Sequence, residues 1–158
     1  MTESGQRTVR RTPVTADGIM AAFSAAGLRS TRPRQIIASR LASHAADQTD
    51  FATDELWQQL QAIDPQLGRA TLFRAVDVLV ELGVLDRIEL GDGRRRYRVC
   101  ASGHHHHLVC TRCRRIEEVD ICLPEAQLTE AAARAGFDVE RHALELYGRC
   151  ASCRAADG

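Results

Sequence analysis

The segment from Cys100 to Cys113, which reads CASGHHHHLVCTRC, constrains this chain more than any other. Four consecutive histidines lie between cysteines, and a CxxC motif formed by Cys110 and Cys113 closes the segment. A second CxxC motif, Cys150 and Cys153, lies near the C-terminus. Two such motifs are typical of a structural zinc site, in which each motif supplies two thiolates from one turn. The alternative is a set of redox-active or chance cysteines.

The histidine run is informative when it is treated as a strand, because successive side chains of a strand point to opposite faces. His105 and His107 then share one face, and His104 and His106 share the other. Zinc takes about four protein ligands, so each pair supplies half of a site. We therefore expect two different metal sites, each completed by residues from elsewhere. A solvated histidine run or a tag is the alternative, but the run is internal and lies between cysteines.

The charge distribution indicates a polyanionic partner. The chain has 158 residues, enough for one domain or two small ones, and its formal net charge is +0. Basic residues nevertheless dominate the N-terminal part. Up to residue 40 the chain carries Arg7, Arg10, Arg11, Arg29, Arg32, Arg34 and Arg40 against Glu3 and Asp17. Such a local excess favours binding to nucleic acid.

No stretch of the sequence predicts a signal peptide or a membrane span. The most apolar early stretch, IMAAFSAAGL, is too short to cross a bilayer. We therefore expect a cytoplasmic protein without a membrane partner. In that compartment the six cysteines are expected to be metal ligands rather than disulfides.

The first part of the chain predicts a run of short helices followed by a hairpin. Residues 1–14 resemble a disordered basic arm, and we place a first domain at 15–99 and a second at 100–158. Helices are predicted from Thr15 to Ala26, from an N-cap at Ser30 or Thr31 with Pro33 in the first turn, from a cap at Thr53, and from Arg69 to Leu82. Their buried positions are predicted to be Ile19, Met20, Phe23, Ala26, Ile36, Ile37, Leu41, Leu56, Trp57, Leu60, Leu72, Val76, Leu79 and Val80. The stretches VLDRIEL and RRRYRV, joined by a GDG turn, predict the hairpin.

This order is typical of a winged helix-turn-helix, with the fourth helix reading DNA and the hairpin as the wing. The candidate DNA-binding residues are Arg32, Arg34, Arg69, Thr71, Phe73 and Arg74. On the wing, Arg94, Arg96 and Arg98 are expected to project from one face. The alternative is that these arginines are ordinary solvated surface.

Beyond Cys100 the composition changes to short strands and one alanine-rich helix. The strands are predicted in HHHHLVC, RRIEEVD and ERHALELYGRC, and the helix from Pro124 to Ala135, ended by Gly136. This part has few large apolar residues, so a structural zinc ion and a dimer interface are the expected sources of its stability.

Several segments together resemble the ferric uptake regulator family of metal-dependent repressors. These segments are AAGLRSTRPRQIIASRL, TDELWQQL, GRATLFRAVDVLVELGVLDRI, YRVC, HHHHLVCTRC and CASC, and the resemblance spans residues 17 to 153. It implies an α+β fold with an N-terminal winged helix-turn-helix domain and a C-terminal α/β dimerisation domain carrying the four-cysteine zinc site. It also implies a homodimer that binds palindromic double-stranded operator DNA when it is metallated.

Within that family the sequence is most similar to the zinc uptake regulator branch. The resemblance places a structural zinc on Cys110, Cys113, Cys150 and Cys153. It places a sensing zinc on Asp86, Cys100, His105 and His107, and an additional regulatory zinc on His104, His106, Glu125 and His142. The implied function is that of a zinc-responsive repressor of zinc uptake and homeostasis genes.

Three residues depart from the family pattern or find no place in it. Phe51 stands where iron- and peroxide-sensing members usually have a histidine, which disfavours an iron or manganese sensor. Phe73 replaces a common tyrosine on the reading helix and keeps only apolar contact with bases. Cys122 matches no metal site, and we expect it to be a buried or spare thiol.

The alternatives are a family member that senses another metal or peroxide, a zinc-buffering protein and a zinc enzyme. A catalytic zinc keeps an open position for water, whereas the sites implied here are filled by four protein ligands. The sequence contains neither HExxH nor HxE with PCxxC. We therefore expect neither an enzyme nor a small-molecule substrate.

Overall fold

The computed structural model describes residues 13–100, 105–119 and 121–156. Its elements, in chain order, are α1 (Ala16–Ala25), α2 (Arg32–Ala46), β1 (Asp50–Phe51), α3 (Thr53–Ile63), α4 (Arg69–Glu81), β2 (Leu85–Glu89), β3 (Arg95–Val99), β4 (His106–Cys110), β5 (Ile116–Val119), α5 (Glu125–Arg134), β6 (Glu145–Gly148) and α6 (Ala151–Ala155). Two compact units form: residues 13–87 and 96–100 belong to the first, and the other described residues to the second. Residues 1–12 of the expected arm lie outside the described residues.

The helices of the first unit begin and end close to the residues that the sequence signals. Thr15 caps α1, because its Oγ1 accepts a hydrogen bond from the Gly18 N–H at 3.1 Å. Thr31 is the N-cap of α2, as predicted. The predicted cap at Thr53 is wrong by one residue: Ala52 is the N-cap of α3, and its N–H donates to the Glu55 carboxylate at 3.0 Å. The acid at the third helical position therefore satisfies the N-cap N–H, which is one half of a capping box.

A single apolar core joins α1 to α4 in the first unit. Its fully buried side chains include Phe23, Leu41, Phe51, Leu60 and Leu72, each stabilising the fold by about 1.5–3 kcal/mol. Met20, Ile36, Trp57 and Val80 were predicted to be buried but are only partly so, and they pack against this core from its edge, while Ala26 is exposed.

The hairpin of β2 and β3 belongs to a three-stranded sheet in the order β1-β3-β2. Strand β1 pairs antiparallel with β3, with Phe51 opposite Tyr97. The GDG turn uses two glycines with positive φ, Gly91 at 76° and Gly93 at 82°, a conformation that other residues rarely adopt. The hairpin tip, residues 88–95, belongs to the second unit.

The second unit contains a sheet in the order β5-β4-β6, in which β4 is antiparallel to β5 and parallel to β6. Helix α5 makes the crossover that a parallel pair requires. Among the described residues of this unit, one buried apolar cluster forms, from Ile88, Leu90, Val109 and Ile116. The large apolar side chains that it exposes are Leu108, Ile121, Leu123, Phe137, Val139, Leu146 and Tyr147. Within the described part of the chain, no helix combines the length and apolarity that crossing a membrane demands.

Candidate metal centres and nucleic-acid interface

The four predicted cysteines meet at one end of the parallel strand pair. Cys110 is the last residue of β4 and lies opposite Gly148, two residues before Cys150. Because parallel strands end at the same edge, both CxxC turns leave the sheet side by side. Cys113 and Cys150 have their sulfurs 3.7 Å apart, and the four sulfurs lie within 4.8 Å of one another. The cluster is therefore compatible with a tetrahedral zinc site.

The charges in this cluster favour a divalent cation. Backbone N–H groups, first that of Cys150 and then that of Cys113, lower the pKa of Cys110 to about 5. Hydrogen bonds to neighbouring thiols, with Cys150 first, raise the pKa of Cys153 to about 12. The first thiolate therefore forms readily, whereas the last is opposed by its neighbours. A bound dication would offset that opposition, because its positive charge stabilises the negative charge on all four sulfurs together.

The first unit brings Asp86 and Cys100 together. Asp86 lies on β2, and Cys100 directly follows β3. The Cys100 thiol donates a hydrogen bond to the Asp86 carboxylate at 3.0 Å. The backbone N–H of Cys100 donates to the Val84 carbonyl at 3.1 Å, which fixes the thiol at the base of the hairpin. Cys100 is buried and Asp86 half-buried, so the pair offers a thiolate and a carboxylate to one cation.

The second unit brings His105 and His107 together. Their ring centroids are 5.1 Å apart, with the rings nearly perpendicular. His105 precedes β4, and His107 is buried within that strand. The predicted sharing of one face by His105 and His107 agrees with this contact. The pair offers two imidazole nitrogens, the donors that suit zinc and other borderline metals.

The cluster at the predicted additional site includes a residue that was not predicted there, Cys122. Ligand atoms of His106, His142 and Cys122 lie within 4.8 Å of one another. Glu125 is the exposed first residue of α5 and is not part of this cluster. His104 lies outside the described residues.

Cys122 was expected to be a buried or spare thiol, and the expectation that it is buried is wrong. The side chain is exposed, and its sulfur lies 3.1 Å from His142 Nε2. Sequence spacing gave no signal for this contact, because twenty residues separate Cys122 from His142.

The exposed side of α4 carries three of the predicted DNA-binding residues. Arg69, Phe73 and Arg74 are exposed. The Arg69 guanidinium lies over the Phe73 ring, 5.3 Å from its centroid, and forms an ion pair with Asp54. Arginine stacked on an aromatic ring presents its donors in a fixed plane, a geometry suited to phosphates and base edges.

The other predicted DNA-binding residues have different surroundings. Arg32 is exposed at the start of α2, and its Nε lies 3.6 Å from Asp64. Arg34 is half-buried and donates a hydrogen bond to the Arg29 carbonyl at 2.6 Å. Thr71 is half-buried in the first turn of α4. Among these, Arg32 offers the most solvent-accessible charge.

One of the three wing arginines, Arg96, binds two carboxylates of the first unit. Arg96 donates to the Asp50 carboxylate at 2.6 Å and makes a bidentate pair with Glu55 at 2.8 and 2.9 Å. Its side chain is only 23% exposed. The expectation that Arg96 projects into solvent is therefore wrong. This arginine ties β3 to β1 and to the first turn of α3, and so holds the hairpin base against the helices.

Comparison with known proteins identifies what the chain is similar to. The model of the ferric uptake regulator family matches residues 25–147. The zinc uptake regulation protein of Mycobacterium tuberculosis (strain H37Rv) is 35% identical over 133 residues, which cover 84% of this chain and 99% of that protein. The ferric uptake regulation protein of Escherichia coli (strain K12) is 30% identical over 135 residues, which cover 84% of this chain and 90% of that protein.

A solved zinc uptake regulator complexed with zinc and DNA has the same fold. Its TM-score is 0.68 at 22% identity, and the match covers 90% of this chain and 94% of that chain. The predicted fold class is thereby confirmed: helices and a hairpin in an N-terminal winged-helix unit, and a C-terminal α/β unit with the four-cysteine cluster.

Proposed function

The chain belongs to the ferric uptake regulator family of metal-responsive transcriptional regulators, similar to its zinc uptake branch, and we propose that it represses zinc uptake and homeostasis genes in response to zinc. The observation that carries this proposal is the buried Cys100 thiol beside Asp86. Thiolate ligands favour zinc over iron(II) and manganese, which prefer imidazole and carboxylate donors.

The sensing zinc in this proposal is held by Asp86, Cys100, His105 and His107. Each of the two pairs supplies two donors, and zinc takes four, so neither pair completes a site alone. When zinc binds, Cys100 loses its proton to solvent and becomes a thiolate. A zinc ion held by these four residues would connect the end of the hairpin to the start of β4, and would thereby favour the DNA-competent arrangement of the dimer.

Four cysteines, Cys110, Cys113, Cys150 and Cys153, are proposed to hold a structural zinc that does not report zinc supply. The thiolates supply the charge that the dication neutralises, and the metal fastens the ends of β4 and β6. Structural zinc of this kind contributes about 10–16 kcal/mol in small domains, so this site is expected to stay filled when the sensing site empties.

The partner is proposed to be a palindromic operator bound by a homodimer. The exposed Leu108 and Leu146 are neighbours across β4 and β6, and they give the second unit an apolar sheet face that a second copy would cover. Two α4 helices would then enter successive major grooves, about 34 Å apart. Arg69 and Arg74 are expected to contact phosphates and bases, with Phe73 against a thymine methyl.

The test is operator binding at fixed salt, measured by fluorescence anisotropy with an AT-rich palindrome taken from a zinc uptake promoter. Free zinc, ferrous iron and manganese are each titrated under buffered, anaerobic conditions. We expect tight binding with zinc only. Equal binding with every metal, or with none, would overturn zinc as the signal.

Two variants locate that signal within the chain. Cys100→Ser and Asp86→Asn should each abolish the zinc response while the protein stays folded and dimeric. Asp47→Asn is the matched control, because Asp47 is an exposed carboxylate in the first unit, at the end of α2. A full zinc response in Cys100→Ser would remove Asp86, Cys100, His105 and His107 as the sensing set.

A further inference from the structure

A thiol that the family pattern does not use lies beside two of the proposed zinc ligands. Cys122 lies between β5 and α5, and His142 lies between α5 and β6. The sulfur of Cys122 is 3.1 Å from Nε2 of His142. His106, the first residue of β4, completes a cluster whose ligand atoms lie within 4.8 Å of one another. Three separate segments of the second unit therefore converge on one point.

His106 is held in place by the sheet, and His142 lies against its ring. His106 is 2% exposed, and the Leu144 N–H lies 3.2 Å from its Nδ1. The rings of His106 and His142 have centroids 5.3 Å apart, inclined by 40°. Cys122 is exposed and its sulfur also lies 3.1 Å from the Leu123 carbonyl. The thiol is therefore open to solvent on one side and faces fixed imidazoles on the other.

The distances fit a shared metal ion. Zinc binds sulfur at about 2.3 Å and imidazole nitrogen at about 2.0–2.1 Å, so two such ligands of one tetrahedral ion are separated by about 3.5 Å. The observed 3.1 Å between the sulfur and Nε2 differs from this by an amount that a small side-chain rotation supplies. The Glu125 carboxylate is not part of the cluster, although it lies three residues from Cys122.

We propose that Cys122 is a ligand of the second metal site, together with His106 and His142. This inference rests on the proposed zinc function and changes the ligand set that the family resemblance implies. On binding, the thiol releases its proton to solvent, and the resulting thiolate and two neutral imidazoles occupy three positions of the ion. The fourth position is filled by a further side chain or by water.

Cobalt tests this proposal, because a thiolate bound to Co²⁺ gives a near-ultraviolet charge-transfer band that imidazole and carboxylate do not give. The starting protein is the full-length Cys100→Ser variant with its four-cysteine zinc retained, which lacks the sensing thiolate. Zinc release is measured during the titration, so that exchange at the four cysteines is detected and subtracted. We expect Co²⁺ to produce the band, and Cys122→Ser in the same background to abolish it.

Two further variants in this background separate Cys122 from its neighbours. His142→Ala should weaken or abolish the band, whereas Glu125→Gln should leave it in place. In the wild-type chain, zinc should also slow alkylation of Cys122. Mass spectrometry of the labelled peptide measures that rate. A band that is absent, or that survives Cys122→Ser, would overturn the proposal, as would a Cys122 alkylation rate that zinc leaves unchanged.

Failure of the proposed ligand role of Cys122 can be distinguished from failure of the proposed function. Zinc-dependent operator binding without a Cys122-dependent band would refute the ligand role of Cys122 alone. A Cys122-dependent band in a protein whose DNA binding ignores zinc would refute the proposed function and support the site.

Discussion

Replacing Cys113 by serine should unfold the second unit while the first unit stays folded. Cys113 is an exposed turn residue, so its loss creates no cavity, and any large effect must come from the metal. A serine hydroxyl does not ionise near neutral pH, which leaves three thiolates to hold the ion. The structural zinc is therefore expected to bind much more weakly.

The size of the effect follows from how little else stabilises this unit. Among its described residues, the buried apolar cluster is Ile88, Leu90, Val109 and Ile116. Burying four such side chains contributes about 6–12 kcal/mol before any conformational entropy is subtracted, whereas a structural zinc contributes about 10–16 kcal/mol. Whole domains are stable by only about 5–15 kcal/mol. Losing most of the zinc contribution thus exceeds the margin of this unit.

Two probes separate the units. Trp57, the only tryptophan of the chain, packs against the core of the first unit, so its fluorescence follows that unit. Hydrogen exchange of the β4, β5 and β6 amides follows the second unit. In Cys113→Ser we expect a preserved Trp57 transition and unprotected strand amides. Gln127→Ala is the control, since it changes an exposed side chain of the same unit, on α5, outside both clusters of potential metal ligands. Strand protection equal to wild type in Cys113→Ser would refute the structural role of the zinc.

Two further predictions concern the DNA-binding unit. Arg96→Met should lower the free energy of unfolding of that unit by about 2 kcal/mol, whereas Arg32→Met, in the same unit and paired at the surface with Asp64, should change it by less than about 0.5 kcal/mol. Hydrogen bonding to Arg96 lowers the pKa of Glu55 below 4.5. The stability that the Arg96–Glu55 pair contributes is therefore complete above pH 4.5 and is lost as the pH falls through the lowered pKa. Urea unfolding followed by Trp57 fluorescence measures the difference between the variants at pH 7 and the loss of the Glu55 contribution below pH 4. Equal losses of stability in the two variants would contradict the bridging role of Arg96. Arg74→Gln should reduce the slope of log affinity against log salt by about 2 in the zinc-loaded dimer, about 0.9 for each of its two copies, and an unchanged slope would remove Arg74 from the phosphate contacts.

Local sequence signals were enough to place most elements of the fold. Thr31 and the positive-φ glycines Gly27 and Gly136 mark helix ends through chemistry that acts within a few residues. The CxxC spacing marked each pair of cysteines in the same local way, and the repetition of the motif predicted that the two pairs share one site. What could not be predicted depends on distant partners. Arg96 has the sequence context of a surface residue, because the carboxylates that it binds, Asp50 and Glu55, lie more than forty positions away.

Cys122 shows the same limit within the candidate metal sites. Strand alternation divided the histidine run into pairs, and family resemblance supplied their partners, so a cysteine outside the pattern was left without a role. Only the crossover from β5 through α5 to β6 brings Cys122 back to His142. Twenty residues separate the two side chains in sequence, and no spacing rule for a metal motif covers that distance.

The parallel pairing of β4 with β6 explains why ligand clusters lie at both ends of one short strand. His106 begins β4 and Cys110 ends it, so the two clusters are separated by about 13 Å along the strand at about 3.3 Å per residue. Because the strands run in the same direction, the residues that precede β6 meet the start of β4, and those that follow it meet the end of β4. His142 therefore joins the first cluster and Cys150 the second. If β6 were antiparallel to β4, His142 would instead lie near Cys110 and Cys150 near His106, and neither cluster would form. Metal bound to the two clusters would therefore stabilise a sheet with so small a core at both ends of its parallel pair.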